Sequence, residues 1–324
     1  MVKECNMRTI LFVDPHMSER GTSSATFDYA LHNERILGNR SVVATYENCS
    51  GLTLPRFRSH FDVRVTTGPE GLQRIVDETG ADSMYVLKYG FNDGLLVPNA
   101  RNLVHVVFPS HDPHGDVYAY VSEAIARDYG MGSPFVPHMI SLPDVEGDLR
   151  SELRLGDRFI FGWYGGFNFE IPFAQEAVAE CARSRPDVAF LFMNMPQFCH
   201  EPNVLFLPKT LDAERRVRFI RTCDAMVHAN SRGETFGISV GEFSVMNRPV
   251  VVYGLKGGEW PQPGRSHLME LGDKALVYND KRELLDILMG LGRMDIEGRD
   301  WRCYTQHTPK NVMDKFRQVF LGEK

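Results

Sequence analysis

A chain of 324 residues exceeds the usual size of a single core and implies two domains, each long enough to bury a substantial interior. Its formal net charge of −6 gives no electrostatic footprint for nucleic acid or an anionic membrane, so an acidic substrate has to be met by local groups. Cysteines at positions 5, 49, 181, 199, 223 and 303 are scattered without a C-x-x-C pair or a zinc-site spacing, which fits a reduced, cytoplasmic compartment. The apolar run Thr9 to Val13 is too short for a signal peptide or a transmembrane segment, leaving peripheral membrane contact through a surface patch as the one membrane option.

Strand-like runs alternate with helical stretches almost throughout, which argues for an α/β chain with parallel sheets covered by helices on both faces, in two Rossmann-like halves. In the first half the strand candidates are 9–13, 41–46, 63–66, 83–87, 103–108 and 117–121. A helix over Thr26 to Leu37 carries Phe27, Ala30, Leu31 and Ile36 as an apolar stripe, with Thr22, Ser23 or Ser24 as its N-cap and Gly38 as its stop. A second helix, Gly71 to Thr79, buries Leu72, Ile75 and Val76 before Gly80. The loop 18–27 follows the first strand, where a Rossmann-like domain presents ligand-binding backbone, but it lacks a G-x-G-x-x-G pattern and gives no support to a dinucleotide site. Gly21, Thr22 and Ser23 there are either ligand contacts or an ordinary loop and helix cap.

Three histidines follow. His105 lies among valines, a setting in which a histidine commonly packs inside its strand, whereas His111 and His114 sit in a Pro/Gly loop at a strand's C-terminal end. Ser122 and Glu123 start the next helix. The stretch 134–148, rich in Pro, Gly and acids, reads as a linker, so the domains are set at 1–147 and 148–308, with a last amphipathic helix in 309–324.

The second half restarts with a strand at 159–163 and the loop YGGFNFEIP, where the adjacent Gly165 and Gly166, before Phe167 and Asn168, let a ligand approach the backbone. A helix from Pro172 places Phe173, Ala177, Val178 and Cys181 on one face. Strands at 189–193 and 204–207 come next, then a helix capped by Asp212 that carries Val217 and Ile220. Residues 284–291 form a further helix. The most informative stretch is HANSRGETFGISVGEFSVMNRPVVVY, residues 228–253. Ala225 to His228 reads as a buried strand, Asn230 to Glu234 as the loop at its C-terminal end, Ile238 to Met246 as the next helix stopped by Pro249, and Val250 to Tyr253 as another strand. Gly237 leaves room for a ligand at the free N–H groups of the helix start, a setting that attracts a diphosphate. Glu242 follows Glu234 by eight residues, which at about 100° each sets it roughly 80° around the helix, so both carboxylates can face one cleft. The plainer alternative is two glutamates on a solvated helix face.

This pattern, glutamate and seven residues before a second glutamate, with S-x-x-E-T-F-G and a closing R-P-V-V, resembles the donor-site signature of retaining glycosyltransferases of family 4. The resemblance implies the GT-B fold, two Rossmann-like domains with parallel sheets facing across a cleft, and a final helix that crosses back to the first domain. It implies transfer of a hexosyl or pentosyl group, with retention, from a UDP- or GDP-linked sugar to a carbohydrate, glycan, glycoprotein or lipid acceptor. Glu234 then contacts the transferred sugar, Glu242 holds the ribose, and the backbone after Phe236, at Gly237 and Ile238, meets the diphosphate. Gly165, Gly166, Gly21 and Thr22 approach the phosphates, and His111 or His114 approaches the donor sugar. Helix N-termini and basic side chains stand in for a metal, so neither metal nor cofactor is expected. One departure matters: the family's arginine and lysine after this strand are missing from GGFNFEIPF, which makes Lys209, Arg232 and Lys256 candidate replacements. The same departure motivates two rivals, a catalytically silent nucleotide-sugar-binding protein and a GT-B sugar-nucleotide epimerase.

Overall fold

The computed structural model describes residues 7–166, 169–255 and 264–323. The chain divides into two compact units, one running to Met139 and taking in the segment from His307 onward, the other spanning Ile140–Gln306.

The first unit contains β1 (Thr9–Val13), β2 (Arg40–Tyr46), β3 (Asp62–Thr66), β4 (Ser83–Lys88), β5 (Arg101–Val106) and β6 (Val117–Tyr120), with α1 (Gly21–Arg35), α2 (Thr53–Arg58), α3 (Glu70–Thr79) and α4 (Glu123–Tyr129). All six strands are parallel, in the order β3-β2-β1-β4-β5-β6, with Leu11 of β1 paired to Val42 on one side and Met84 on the other. Ile10, Leu11, Phe12 and Val13 are fully buried, as expected of a central strand covered on both faces. His105 belongs to this interior: its ring nitrogens meet the Tyr85 hydroxyl at 2.7 Å and the Val136 carbonyl at 2.8 Å, and burial drives its pKa down to about 4.

Helix α1 starts five residues before the expected Thr26. Asp14 accepts from the Met17 N–H at 2.9 Å and the Ser23 hydroxyl accepts from the Ser18 N–H at 2.9 Å, so the loop closes early on itself. Arg20 is the N-cap residue, no side chain caps the helix, and Gly21 and Thr22 lie in its first turn and not in the loop before it. Ile36, expected in the apolar stripe, lies past the helix end and is exposed.

The second unit contains β7 (Phe159–Tyr164), β8 (Val188–Met193), β9 (Val204–Leu207), β10 (Ala225–His228), β11 (Gly233–Glu234), β12 (Val250–Tyr253), β13 (Gly264–Arg265) and β14 (Leu276–Tyr278). Its helices are α5 (Pro172–Ser184), α6 (Ala213–Thr222), α7 (Ile238–Val245), α8 (Ser266–Leu271), α9 (Lys281–Gly290) and α10 (Arg293–Ile296). The main sheet, β14-β12-β10-β7-β8-β9, is again parallel and repeats the strand order of the first. Ile140 opens this unit because it packs into its core: a Cβ on Gly241 of α7 would fall 2.6 Å from Ile140 and 2.7 Å from Tyr304. Asp212 caps α6 by accepting from the Glu214 N–H, and Asp280 caps α9, which therefore starts at Lys281, ahead of Leu284. In the final segment α11 (Pro309–Phe316) runs into a π-helical turn at Arg317–Leu321. Within the first unit the Phe316 ring packs 5.6 Å from Tyr29, whose hydroxyl donates to the Pro137 carbonyl at 2.8 Å.

Candidate functional site

In the second sheet the chain leaves β7 in one direction toward β8 and β9, then returns to lay β10 on the opposite side of β7. The loops after β7 and β10 thus flank a topological switch point, where doubly wound sheets bind ligands. The two loops are tied together. The Glu170 N–H donates to the Ala229 carbonyl at 3.2 Å, and the Ser231 hydroxyl donates to Glu170 Oε1 at 2.7 Å. Gly165, half-buried, has its carbonyl held by Asn194 Nδ2 at 2.8 Å, and Gly166 is exposed. Phe167 and Asn168 lie outside the described residues.

Glu234 stands at the centre of a hydrogen-bonded polar cluster. His228 Nε2 and Asn230 Nδ2 each donate to its Oε1 at 3.1 Å, while its backbone N–H donates to His267 Nδ1 at 3.3 Å. The Asn230 amide also bonds the Gly233 carbonyl at 2.8 Å and accepts from the Arg232 N–H at 2.9 Å, which fixes the turn. His267 arrives through the two-residue parallel pairing of β11 with β13, where Gly233 faces Gly264 and Glu234 faces Arg265. Only glycine fits that crossing: a Cβ on Gly233 would fall 2.3 Å from the Gly264 carbonyl, and one on Gly264 would fall 2.1 Å from the Arg232 carbonyl. Burial opposes ionisation of Glu234, but the hydrogen bond and field of His228 and the Asn230 bond outweigh it and hold the carboxyl below its ordinary value. Burial and then neighbouring His228 push His267 down to about 3, so it is neutral and can accept at Nδ1. The Glu234 side chain is 21% exposed and His228 is fully buried, so a charge held by the interior is presented to solvent.

Gly237 follows in the left-handed region, φ 85°, and serves as the N-cap residue of α7 with no side chain over the helix start. The first-turn N–H groups of a helix have no acceptor inside it and favour an anion. Phe236 is buried, with its carbonyl accepting from the Tyr304 hydroxyl at 2.7 Å, and Ile238 is half-buried. Glu242 is not on a solvated face. Its side chain is 4% exposed, and Arg216 of α6 reaches its Oε1 at 3.3 Å.

Of the residues anticipated from sequence, Glu234, Phe236, Gly237 and Ile238 come together, with Gly165 and Gly166 on the other loop of the switch point. Lys209 and Arg232 are exposed, and Lys256 lies outside the described residues. His111 and His114 belong to the first unit. His111 is exposed and its Nδ1 meets the Tyr120 hydroxyl at 3.3 Å. His114 is buried, donating from Nδ1 to the Asp112 carbonyl at 2.6 Å and accepting at Nε2 from Lys88 Nζ at 3.1 Å. Sequence reasoning missed the roles of His228, Asn230, His267 and Arg216. The run H-A-N-S just before Glu234 carried a usable signal for the first two. His267 and Arg216 become visible only through the β11–β13 pairing and the packing of α6 near α7.

Among the described residues no group of three or more His, Cys, Asp or Glu side chains is arranged to hold a metal ion, and no helix is long and apolar enough to cross a membrane. A shallow depression of about 850 Å³ lies in the first unit, at the N-terminal ends of β4, β5 and β6. Its acids are committed to backbone: Asp82 accepts from the Thr9 N–H and Asp116 from the Asn102 N–H, which argues for a structural role.

No family model and no curated protein matches the sequence. Solved structures do match across nearly the whole chain. Anabaena HepE, crystallised with UDP and glucose, superposes with a TM-score of 0.62 at 16% identity, covering 96% of this chain and 95% of its own. A glycosyltransferase from Rickettsia africae gives 0.63 at 12% identity, covering 98% and 94%. A candidate UDP-N-acetylglucosamine 2-epimerase from Listeria monocytogenes gives 0.63 at 11%, covering 98% of each chain. The chain has the GT-B fold. At these identities the likeness is one of architecture.

Proposed function

We propose that the protein is a nucleotide-sugar-dependent glycosyltransferase that retains anomeric configuration, with its donor bound at the switch point of the second unit. The observation that carries this reading is the Glu234 carboxylate, held ionised by His228 and Asn230 three residues before the uncapped, glycine-led start of α7. An anionic diphosphate belongs at the N–H groups after Gly237, and Gly165 and Gly166 present open backbone on the facing loop. The sugar beyond the diphosphate would meet Glu234, whose negative charge offsets the positive charge that develops on an oxocarbenium-like ring. Glu242 would hold the ribose while sharing its carboxylate with Arg216.

Retention would follow from attack on the face that the diphosphate leaves, with the departing phosphate oxygen taking the acceptor proton. The C–O bond to the leaving phosphate breaks as the bond to the acceptor oxygen forms, so no protein nucleophile is required, and positioning and electrostatics supply the acceleration. HepE, bound to UDP and glucose, supports a uridine donor. A thermal-shift screen of UDP, GDP and their sugars, followed by incubation with radiolabelled donors, tests the reading. Transfer of label supports it, binding without turnover overturns the transferase assignment, and isomerised donor without transfer replaces it with an epimerase.

A further inference from the structure

Three aromatic rings stack in the open on the first unit. Tyr89 is the middle ring, with Phe91 at 4.8 Å and 15° and Phe108 at 4.7 Å and 24°. Tyr89 is 50% exposed, Phe91 56% and Phe108 39%. Flat apolar faces turned to water are costly, and a cluster of them marks a contact site.

The platform is held rigidly. It extends the C-terminal ends of β4 and β5, with the Val107 N–H donating to the Lys88 carbonyl at 3.0 Å and the Ser110 hydroxyl to the Tyr89 carbonyl at 3.2 Å. Gly90, at φ 128°, makes the bend that brings Phe91 back over Tyr89; a Cβ there would fall 2.0 Å from the Ser110 hydroxyl, and the Tyr118 hydroxyl holds the Gly90 carbonyl at 2.7 Å. Beside the rings stands a hydrogen-bonding rim. Lys88, its side chain 7% exposed, pairs with Asp93 and donates to His114 Nε2, which leaves the Asp93 carboxylate more than half exposed.

We infer that this platform is a saccharide-binding subsite, with a pyranose ring laid on the exposed aromatic face and its hydroxyls bonded to the Asp93 rim. A pyranose combines a flat C–H face, which suits the negative face of an aromatic ring, with equatorial hydroxyls that suit a carboxylate. The surroundings disfavour an anionic lipid surface, because Asp93 and Asp112 outnumber Lys88 across 88–93 and 108–114. Three half-exposed rings offer roughly 300 Å², well short of the ~1,000 Å² of a stable protein interface. That the subsite receives the acceptor rests on the transferase reading; saccharide binding by the platform does not.

The test is saturation-transfer NMR and titration of the intact protein with methyl glucosides, galactosides and mannosides, cellobiose and maltose, and in parallel with UDP. At least one saccharide should bind the wild type. Phe91→Ala and Phe108→Ala should each weaken it about tenfold, Phe91→Tyr should keep it, and UDP affinity should be unchanged in all three. Because Phe91 and Phe108 are exposed, these changes leave the core intact. The subsite is overturned if none of these saccharides binds, if both alanine variants bind as the wild type does, or if Phe91→Ala instead abolishes binding to vesicles of equal parts phosphatidylcholine and phosphatidylglycerol. Saccharide binding without UDP binding in the wild type upholds the platform and sinks the donor assignment, so the two failures are distinguishable.

Discussion

Glu234 Oε1 and His228 Nε2 lie 3.1 Å apart, and the histidine that donates is fully buried while the carboxylate reaches solvent. The last residue of β10 thus anchors a charge in the loop that follows it. Glu234→Gln keeps the shape and an acceptor for Asn230 but removes the charge. If the charge serves the transition state, turnover should fall about 100-fold while affinity for the free nucleotide holds. Single-turnover transfer and calorimetry separate the two quantities, and an equal loss in both would reassign Glu234 to nucleotide binding.

The same cluster predicts acid sensitivity of the second unit. His267 is neutral in the fold, pushed from 6.5 to about 3 by burial and by His228, whereas in the unfolded chain it takes up a proton below 6.5. Its contribution to stability is complete above 6.5 and is lost as pH falls toward about 3, at up to ~1.4 kcal/mol per pH unit. Glu234, held below 4.5, adds stability that is complete above 4.5 and is lost as pH falls through its lowered value. Trp163 and Trp301 both lie in this unit, so denaturation followed by their fluorescence should weaken from 6.5 downward. His267→Asn keeps an acceptor for the Glu234 N–H and should flatten that slope above 4.5. An unaltered slope would show that His267 is not the group responsible.

Glu242 and Arg216 form a largely buried pair, which changes how the ribose assignment has to be tested. Glu242→Ala leaves the guanidinium without its carboxylate partner and should cost about 3–5 kcal/mol of stability, while Glu242→Leu combined with Arg216→Met should recover most of it. Chemical denaturation measures both. Glu242→Gln is the cleaner probe of ribose binding, and loss of a hydrogen bond to a charged acceptor should weaken UDP by roughly 1.5–3 kcal/mol. Unchanged UDP affinity in the Gln variant would leave Glu242 with a structural role alone.

The parallel sheets were legible in the sequence because buried strands such as Ile10 to Val13 and Val250 to Val252 are continuous β-branched and aromatic runs bounded by turn residues. The Glu234 loop was legible for a similar reason: its motif is local, running from strand to glycine to helix. Less visible was anything set by non-local pairing. His267 reaches Glu234 across 33 positions through a two-residue strand pair too short to leave a periodic signal. The start of α1 was misplaced because Ser23, read as a cap, spends its hydroxyl on the loop behind it. The Arg216 partner of Glu242 was not legible either, because helix geometry gives the direction of a side chain but not what packs beside it.

Chelation should leave transfer intact. The donor site as proposed relies on the helix start after Gly237 and on side-chain cations to balance the diphosphate. Activity measured with and without EDTA should agree. Complete loss, restored by manganese or magnesium, would refute this account of leaving-group stabilisation.

The proposed donor site needs positive charge. A helix N-terminus supplies about half a unit, less than a departing diphosphate requires in a partly desolvated pocket, so at least one cation should contribute. Arg232 lies in the turn fixed by Asn230, two residues before Glu234, and Lys209 follows β9 at the same C-terminal edge of the sheet. Both are exposed, so Arg232→Gln and Lys209→Met should leave stability within about 0.5 kcal/mol of wild type. The one that faces the diphosphate should lose on the order of 100-fold in single-turnover rate. Arg216→Gln is the informative contrast, because it also frees the buried Glu242 carboxylate and should lower stability and UDP affinity together. Wild-type rates in both surface variants would exclude Lys209 and Arg232 and leave the charge to Lys256, Arg216 or the backbone donors after Gly237.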